Sequence, residues 1–209
     1  MKNPWEEISL DDYENHMRLE SVNQLQTLNA MMKKQFEDYA VNTVMILGVA
    51  GGNGLEHVSS FHFKKVYGVD INCDYLRTTA ERYAYLGDVL ECLHLDVVKE
   101  ADALPKTDLL IADLLVEYIG NEAFVNAIRH TCPKYVSCII QINTDKENWV
   151  SDSPYLHAFD GLDAVHHQME ADRLSEAVCS AGYCKGPQYS ESLPNGKALV
   201  RIDFYSDKV

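Results

Sequence analysis

No apolar run in this chain is longer than a strand, and each is broken by charge. A helix that crosses a membrane needs about 20 apolar residues, so none is expected. The opening residues Met1-Lys2-Asn3-Pro4-Trp5-Glu6-Glu7 lack the apolar centre of a signal peptide, which makes a cytoplasmic protein the expectation. Among the six cysteines, at 73, 92, 132, 138, 179 and 184, there is no Cys-x-x-Cys pair. Several lie in apolar stretches, and they read as reduced, buried thiols rather than disulfides or zinc ligands. Basic residues are few: 18 Lys and Arg stand against 32 Asp and Glu, a formal net charge of -14. A phosphate backbone needs a basic face, so no nucleic acid is expected, and a small molecule is the expected partner. Two nucleotide-binding signatures are also missing. G-x-G-x-x-G fails at every register of residues 48–57, because Gly52 is followed by Gly54 but then His57, and Gly48 by Ala50 and Asn53; nor is there a G-x-x-x-x-G-K-(S/T) loop.

What is present is enough apolar material, 46% of 209 residues, for one well-buried core. Over residues 9–39, Met17, Val22, Leu25, Leu28, Met32, Phe36 and Tyr39 recur at three- and four-residue steps, the pattern of an amphipathic helix broken or bent once. Ser9 with Asp12 resembles a capping arrangement. This extension, residues 1–40, reads as a lid, as a dimerisation arm in a homodimer, or simply as a helix packed on the core. From residue 41 to 209 short apolar runs alternate with helical segments. Strands are expected at Thr43–Leu47, Lys65–Val69, Val89–Leu95, Asp108–Ala112 and Tyr135–Ile142, and helices at Cys73–Leu86, Asn121–Thr131 and His166–Ala181. That order predicts an α/β fold, a doubly wound, mostly parallel sheet with helices on both faces. The chain then ends on two strands, Tyr183–Ser190 and Lys197–Tyr205, joined by Leu193-Pro194-Asn195-Gly196. Asn-Gly, two residues that tolerate positive φ, predicts a hairpin, so the seventh strand would be antiparallel and, from its alternation, half-exposed.

Four glycines, Gly48, Gly51, Gly52 and Gly54, fall within seven residues directly after the first strand. With a helix expected from Leu55, their lack of side chains would let a ligand approach the backbone at the end of the strand. Asp70, at the tip of the second strand, is placed to accept both hydroxyls of a ribose. The stretch Leu47 to Gly54 and the acids that follow resemble class I S-adenosylmethionine-dependent methyltransferases, from Thr43 to Tyr205. The family's first glycine motif falls on Ala50, Gly52 and Gly54, with Gly48 where an acid usually stands and Ala50 accepted if its φ stays negative. Its ribose-binding acid falls on Asp70, with Ile71 against the adenine. Its adenine-contacting acid falls on Asp96, followed by Val97, and its fourth motif on Asp113. The resemblance implies a Rossmann-like seven-stranded fold, S-adenosylmethionine as cofactor, and methyl transfer to a small acceptor.

Acceptor-facing groups in such a layout follow the fourth strand, which makes Asp113, Glu117 and Tyr118 candidate contacts or bases. The segment 143–165, with Trp149, Tyr155, His157 and Phe159, reads as a lid with aromatic walls or a surface loop, and His157 is a further candidate base. Cys92, His94 and Asp96 lie on one strand face, either as a metal site or as part of a strand buried on both sides, the simpler account. His166, His167 and Glu170 read as surface residues. An NAD(P)-dependent oxidoreductase is the alternative enzyme, disfavoured by the missing fingerprint and the terminal hairpin. A non-catalytic nucleoside-binding protein is the alternative outside enzymes.

Overall fold

The computed structural model describes residues 2–143 and 149–207. Its centre is a seven-stranded sheet in the order β3-β2-β1-β4-β5-β7-β6. The strands are β1 Thr43–Leu47, β2 Lys65–Asp70, β3 Leu90–His94, β4 Leu109–Asp113, β5 Tyr135–Ile142, β6 Tyr183–Ser192 and β7 Ala198–Ser206. The first five are parallel, and β7 inserts antiparallel between β5 and β6. Because β1 pairs with both β2 and β4, the strand order reverses beside β1, and a crevice opens there at the carboxyl ends.

Alternation along each strand sorts the core into two layers. Met45 and Leu47 of β1, with Leu110 and Ala112 of β4, meet Phe124 and Ile128 of α4 (Val116–Thr131) and Leu174 and Val178 of α5 (Ala171–Cys179). Val44, Ile46, Leu109 and Ile111 face the other way, onto Met32 and Phe36 of α2 (Gln24–Asp38) and Leu76 of α3 (Cys73–Arg82). Being buried on both faces, these strands can be apolar throughout. Among the described residues no helix is long and apolar enough to cross a membrane.

The N-terminal periodic segment is two helices, α1 (Leu10–Arg18) and α2, parted where Asn23 turns left-handed at φ 52°. Ser9 occupies the N-cap of α1 without a side-chain bond; the reciprocal capping pair lies earlier, between Asn3 and Glu6. The alternation in β7 does not expose one face, as expected from the sequence, since Leu199, Arg201 and Asp203 are all buried. Arg201 is satisfied inside the fold: Nη2 bonds Asp203 Oδ2 at 2.7 Å and Nη1 bonds Asp38 Oδ2 at 2.9 Å. Ser137 Oγ donates to Asp203 at 2.6 Å and accepts from Gln35 Nε2 at 3.0 Å, which also donates to Asp113 Oδ1 at 2.9 Å. A buried charge is tolerated only when paired in this way, and the pairing here ties α2 to β4, β5 and β7.

Other local departures have simple causes. The helix expected to begin at Leu55 is a single 3₁₀ stretch, Leu55–Ser60. The third strand is an edge strand, half-exposed rather than buried on both faces. The hairpin turn places only Gly196 at positive φ, 80°, as a loop bridged by Leu193 N to Lys197 O at 2.8 Å. The helix expected from His166 starts at Ala171, and α4 begins earlier than Asn121 but breaks at Gly120, φ 74°. The cysteines are all free thiols, but only Cys138 is buried; Cys92 is half-buried and the other four are exposed.

Phe36 is 1% exposed and meets Phe61 and Phe63 edge-on, with ring centroids 5.9 and 5.4 Å away. Phe36→Ala should therefore cost about 3–5 kcal/mol in urea unfolding with an unchanged m-value. A loss below about 0.5 kcal/mol, the range of surface substitutions, would show that α2 is not part of the core.

Candidate active site

The turn after β1 is shaped by backbone conformations that favour glycine. Gly48, Gly52 and Gly54 sit at φ 70°, 81° and 95°, and Ala50 joins them at 47°, against the expectation of a negative φ. A left-handed alanine costs about 1–2 kcal/mol, and it is held from both sides here. Its N–H donates to Asp70 Oδ2 at 2.9 Å, and its carbonyl accepts from Thr79 Oγ1 at 2.7 Å. Gly48 and Val49 both donate to Val69 O, at 2.8 and 3.1 Å, which fixes the turn to the end of β2.

The other glycines admit protein rather than ligand. A Cβ on Gly51 would collide with Glu14 and with Arg82 Nη1, and one on Gly54 would lie 2.6 Å from Met32 Sδ. On Gly52 it would meet Tyr83 at 2.6 Å. The expectation that all four glycines face a ligand is thus corrected: Gly48 and Ala50 line the main cleft, Gly51 borders a smaller cavity under α1, and Gly52 and Gly54 make room for α2 and for Tyr83 just beyond α3.

The main cleft, partly open to solvent, runs across the carboxyl ends of β1 to β4. Asp70, Ile71, Asp96, Val97 and Asp113 all border it. Asp70 is 8% exposed; Oδ1 accepts from Asn72 N and Oδ2 from Ala50 N, both at 2.9 Å. Each oxygen retains a further lone pair for a ligand hydroxyl. Burial, opposed by those backbone bonds, raises its pKa from the ordinary value. Asp96 pairs with Lys99 and accepts from Val98 N at 3.0 Å.

A second cavity adjoins the first and shares Trp5, Tyr13, Leu114 and Tyr118 with it. Glu117, in the first turn of α4, is 4% exposed. Its Oε1 accepts from Gln141 N at 2.7 Å, while Oε2 has no partner among the described residues, as is also true of Asp113 Oδ2. Burial lifts both carboxyls to about 7. At the β4 end the chain turns through Leu114 at φ 54°, which aims Asp113 and Glu117 toward the cavities on either side of it. Aromatic faces complete the wall: Trp5 meets Tyr118 edge-on at 4.8 Å, and Trp149 stacks on His166 at 3.9 Å.

Tyr13 of α1 borders both cavities and the smaller third one, and it is the group that joins them. Burial, then Asp70, Glu14, Glu117 and Asp113, holds its hydroxyl protonated far above ordinary pH. Sequence reasoning passed over Tyr13, Glu14 and His16. The signal was the density of aromatic and acidic residues in DDYENHM, which the search for apolar periodicity does not weigh. Trp149 and Phe159 do line the second cavity, whereas His157 points to solvent with a 91% exposed side chain and meets Asp160, apart from the lining of either cavity. Part of the segment 143–165, residues 144–148, lies outside the described residues. His166 is a wall of the cavity rather than a surface residue. His94 bonds to Ile71 O at 2.8 Å, and among the described residues no three metal-ligating side chains converge.

Glu117 moves from 4.5 to about 7 on folding, so folding favours its protonated form. Its contribution to stability is full below about pH 4.5 and is lost as pH rises through about 7. Relative to the wild type, Glu117→Gln should gain stability steadily over that window in thermal unfolding, and stay level above it. A difference independent of pH would contradict the burial of this carboxyl.

No protein-family model and no curated protein sequence matches the chain. Solved structures do share its architecture. The magnesium protoporphyrin IX methyltransferase of Synechocystis PCC 6803, with bound S-adenosylhomocysteine, superposes with a TM-score of 0.62 at 15% identity, over 88% of this chain and 84% of that one. The N-methyltransferase NodS of Bradyrhizobium japonicum WM9, also with S-adenosylhomocysteine, gives 0.62 at 12%, over 89% and 87%. The 4+2 cyclase SpnF gives 0.65 at 10%, over 86% and 80%, so one fold carries more than one reaction. The sheet order, the terminal antiparallel strands and these superpositions together show that the chain has the class I S-adenosylmethionine-dependent methyltransferase fold.

Proposed function

We propose that this protein transfers a methyl group from S-adenosylmethionine to a small-molecule acceptor. The observation that carries the reading is the single cleft at the strand-order reversal that gathers Gly48, Ala50, Asp70, Asp96 and Asp113 and opens past Tyr13 into a second cavity holding Glu117. The residues present fit the cofactor. Asp70 would accept the ribose hydroxyls, Ile71 would pack on the adenine, and Asp96 with Val97 would meet the adenine edge. The side-chain-free turn at Gly48 lets the methionine end approach the backbone. Where the family usually has an acid at that position, Asp113 and Glu14 border the adjoining small cavity and would receive the ammonium group.

Bound S-adenosylmethionine supplies a methyl group already activated on a sulfonium, so alignment and exclusion of water are the main tasks left to the protein. Trp5 and Tyr13 close the cleft from above. Their segment is tied to the β2 end and to α3, since Asn72 Nδ2 donates to Trp5 O and Tyr75 Oη to Ile8 O, both at 2.9 Å. Glu117, with one unpartnered oxygen, is the group placed to hold a proton from the acceptor.

S-adenosylhomocysteine should raise the unfolding midpoint, as a ligand of the native state does, and NAD should not. Asp70→Asn should weaken the S-adenosylhomocysteine affinity roughly ten- to hundredfold by calorimetry, the loss expected for a charged hydrogen-bond acceptor. A shift with NAD alone, or an unchanged affinity in the variant, would overturn the assignment.

A further inference from the structure

The second cavity has a chemical preference that can be read from its walls. Its walls carry the aromatic rings of Trp5, Tyr118 and Trp149, a residue type whose electron-rich rings attract cations. The two histidines in the wall supply no positive charge at neutral pH, since burial lowers His16 to about 4 and also lowers His166. Lys197 donates to the Trp149 carbonyl and does not itself line the cavity. At the floor stands Glu117, buried, with Oε1 fixed by Gln141 N and Oε2 unpartnered among the described residues. An anionic acceptor would stand against Glu117, with Asp70, Glu14 and Asp113 bordering the adjoining cavities around Tyr13. An alcohol would gain nothing from the rings as cation hosts, whereas an ammonium ion uses the rings and the free oxygen together.

We infer that the second cavity takes a small primary or secondary amine, which enters as its ammonium ion, gives a proton to Glu117 Oε2 and becomes the methyl acceptor at nitrogen. The inference rests on the methyltransferase reading and deepens it. Proton transfer to the Glu117 carboxylate frees the nitrogen lone pair. That pair forms the N–C bond while the donor's S–C bond breaks and leaves its electrons on sulfur as the thioether. The product leaves as a methylated ammonium ion, and the carboxyl releases its proton to solvent. The source is a free amine rather than a protein side chain, because Trp5 and Tyr13 cover the cavity and their segment is hydrogen-bonded down at Asn72 and Tyr75.

The chain's two tryptophans, Trp5 and Trp149, both line this cavity, and with the main cleft, which Trp5 also borders, already filled by S-adenosylhomocysteine, a further change in tryptophan fluorescence reports on it. Protein saturated with S-adenosylhomocysteine, as verified by calorimetry, would be titrated with methylamine, 2-phenylethylamine, 2-phenylethanol, phenylacetate and a pentapeptide with a central lysine. At least one free amine should give a saturable signal with a Kd at least tenfold below those of the alcohol, the carboxylate and the peptide. Glu117→Gln should weaken that amine at least tenfold with S-adenosylhomocysteine affinity within twofold of the wild type, and label from methyl-tritiated S-adenosylmethionine should appear in the amine. Equal binding of the alcohol or the carboxylate, preference for the peptide, no signal from either amine, or an unchanged amine Kd in Glu117→Gln would each overturn the inference while leaving the cofactor assignment standing. Failure of S-adenosylhomocysteine itself to bind would instead remove the methyltransferase reading. If Glu117→Gln does not fold, the comparison of amine, alcohol and carboxylate on the wild type still decides.

Discussion

The clasp between Glu14 and Arg82 over Gly51 is the contact on which the site depends. Glu14 is 8% exposed, and Arg82 grips both its oxygens while Nη1 also donates to the Gly51 carbonyl at 3.1 Å. Only a residue without a Cβ leaves room for it. Through this pair α1 is held across the open ends of the strands, so Tyr13, one residue before Glu14, stands at the meeting of the three cavities. A partly buried ion pair adds little net stability, because desolvation offsets much of the attraction; what it fixes is geometry. The same holds beneath α2, where Gln35, Ser137, Asp203 and Arg201 pass a chain of hydrogen bonds from β7 to Asp113.

The electrostatics of the cleft follow from this covering. With the N-terminal segment in place, Asp113 and Glu117 lose water and rise to about 7, while Asp70, braced by Ala50 and Asn72, stays a structural acceptor at the end of β2. Carboxyls with one oxygen anchored and the other unpartnered are poised between their two protonation states at neutral pH, which suits proton transfer more than ion pairing.

Periodicity and turn residues were enough to read the architecture. The apolar runs gave β1 and β5 their observed bounds, and the acids at the strand tips, Asp70, Asp96 and Asp113, come together in one cleft because parallel strands put all their carboxyl ends on the same side. What could not be read are contacts between residues far apart in the chain. Nothing local in the glycine-rich turn says that Gly54 faces Met32 or Gly51 faces Glu14. Nor does it show that Ala50 takes a left-handed φ, which depends on Asp70 and Thr79. Arg201 and Asp203 looked like an exposed face because polar residues in a strand usually are; they are buried because Asp38 and Ser137 answer them. His157 was a candidate base by residue type alone, and the fold leaves its side chain in solvent beside Asp160.

Crystals grown in S-adenosylhomocysteine would decide whether the covered cleft is a cofactor site. The ribose should sit on Asp70, the adenine between Ile71 and Asp96, and the sulfur beside Tyr13, facing the cavity of Glu117. A ligand bound elsewhere, or one that enters only with α1 displaced from Gly51 and the Glu14–Arg82 pair broken, would contradict it.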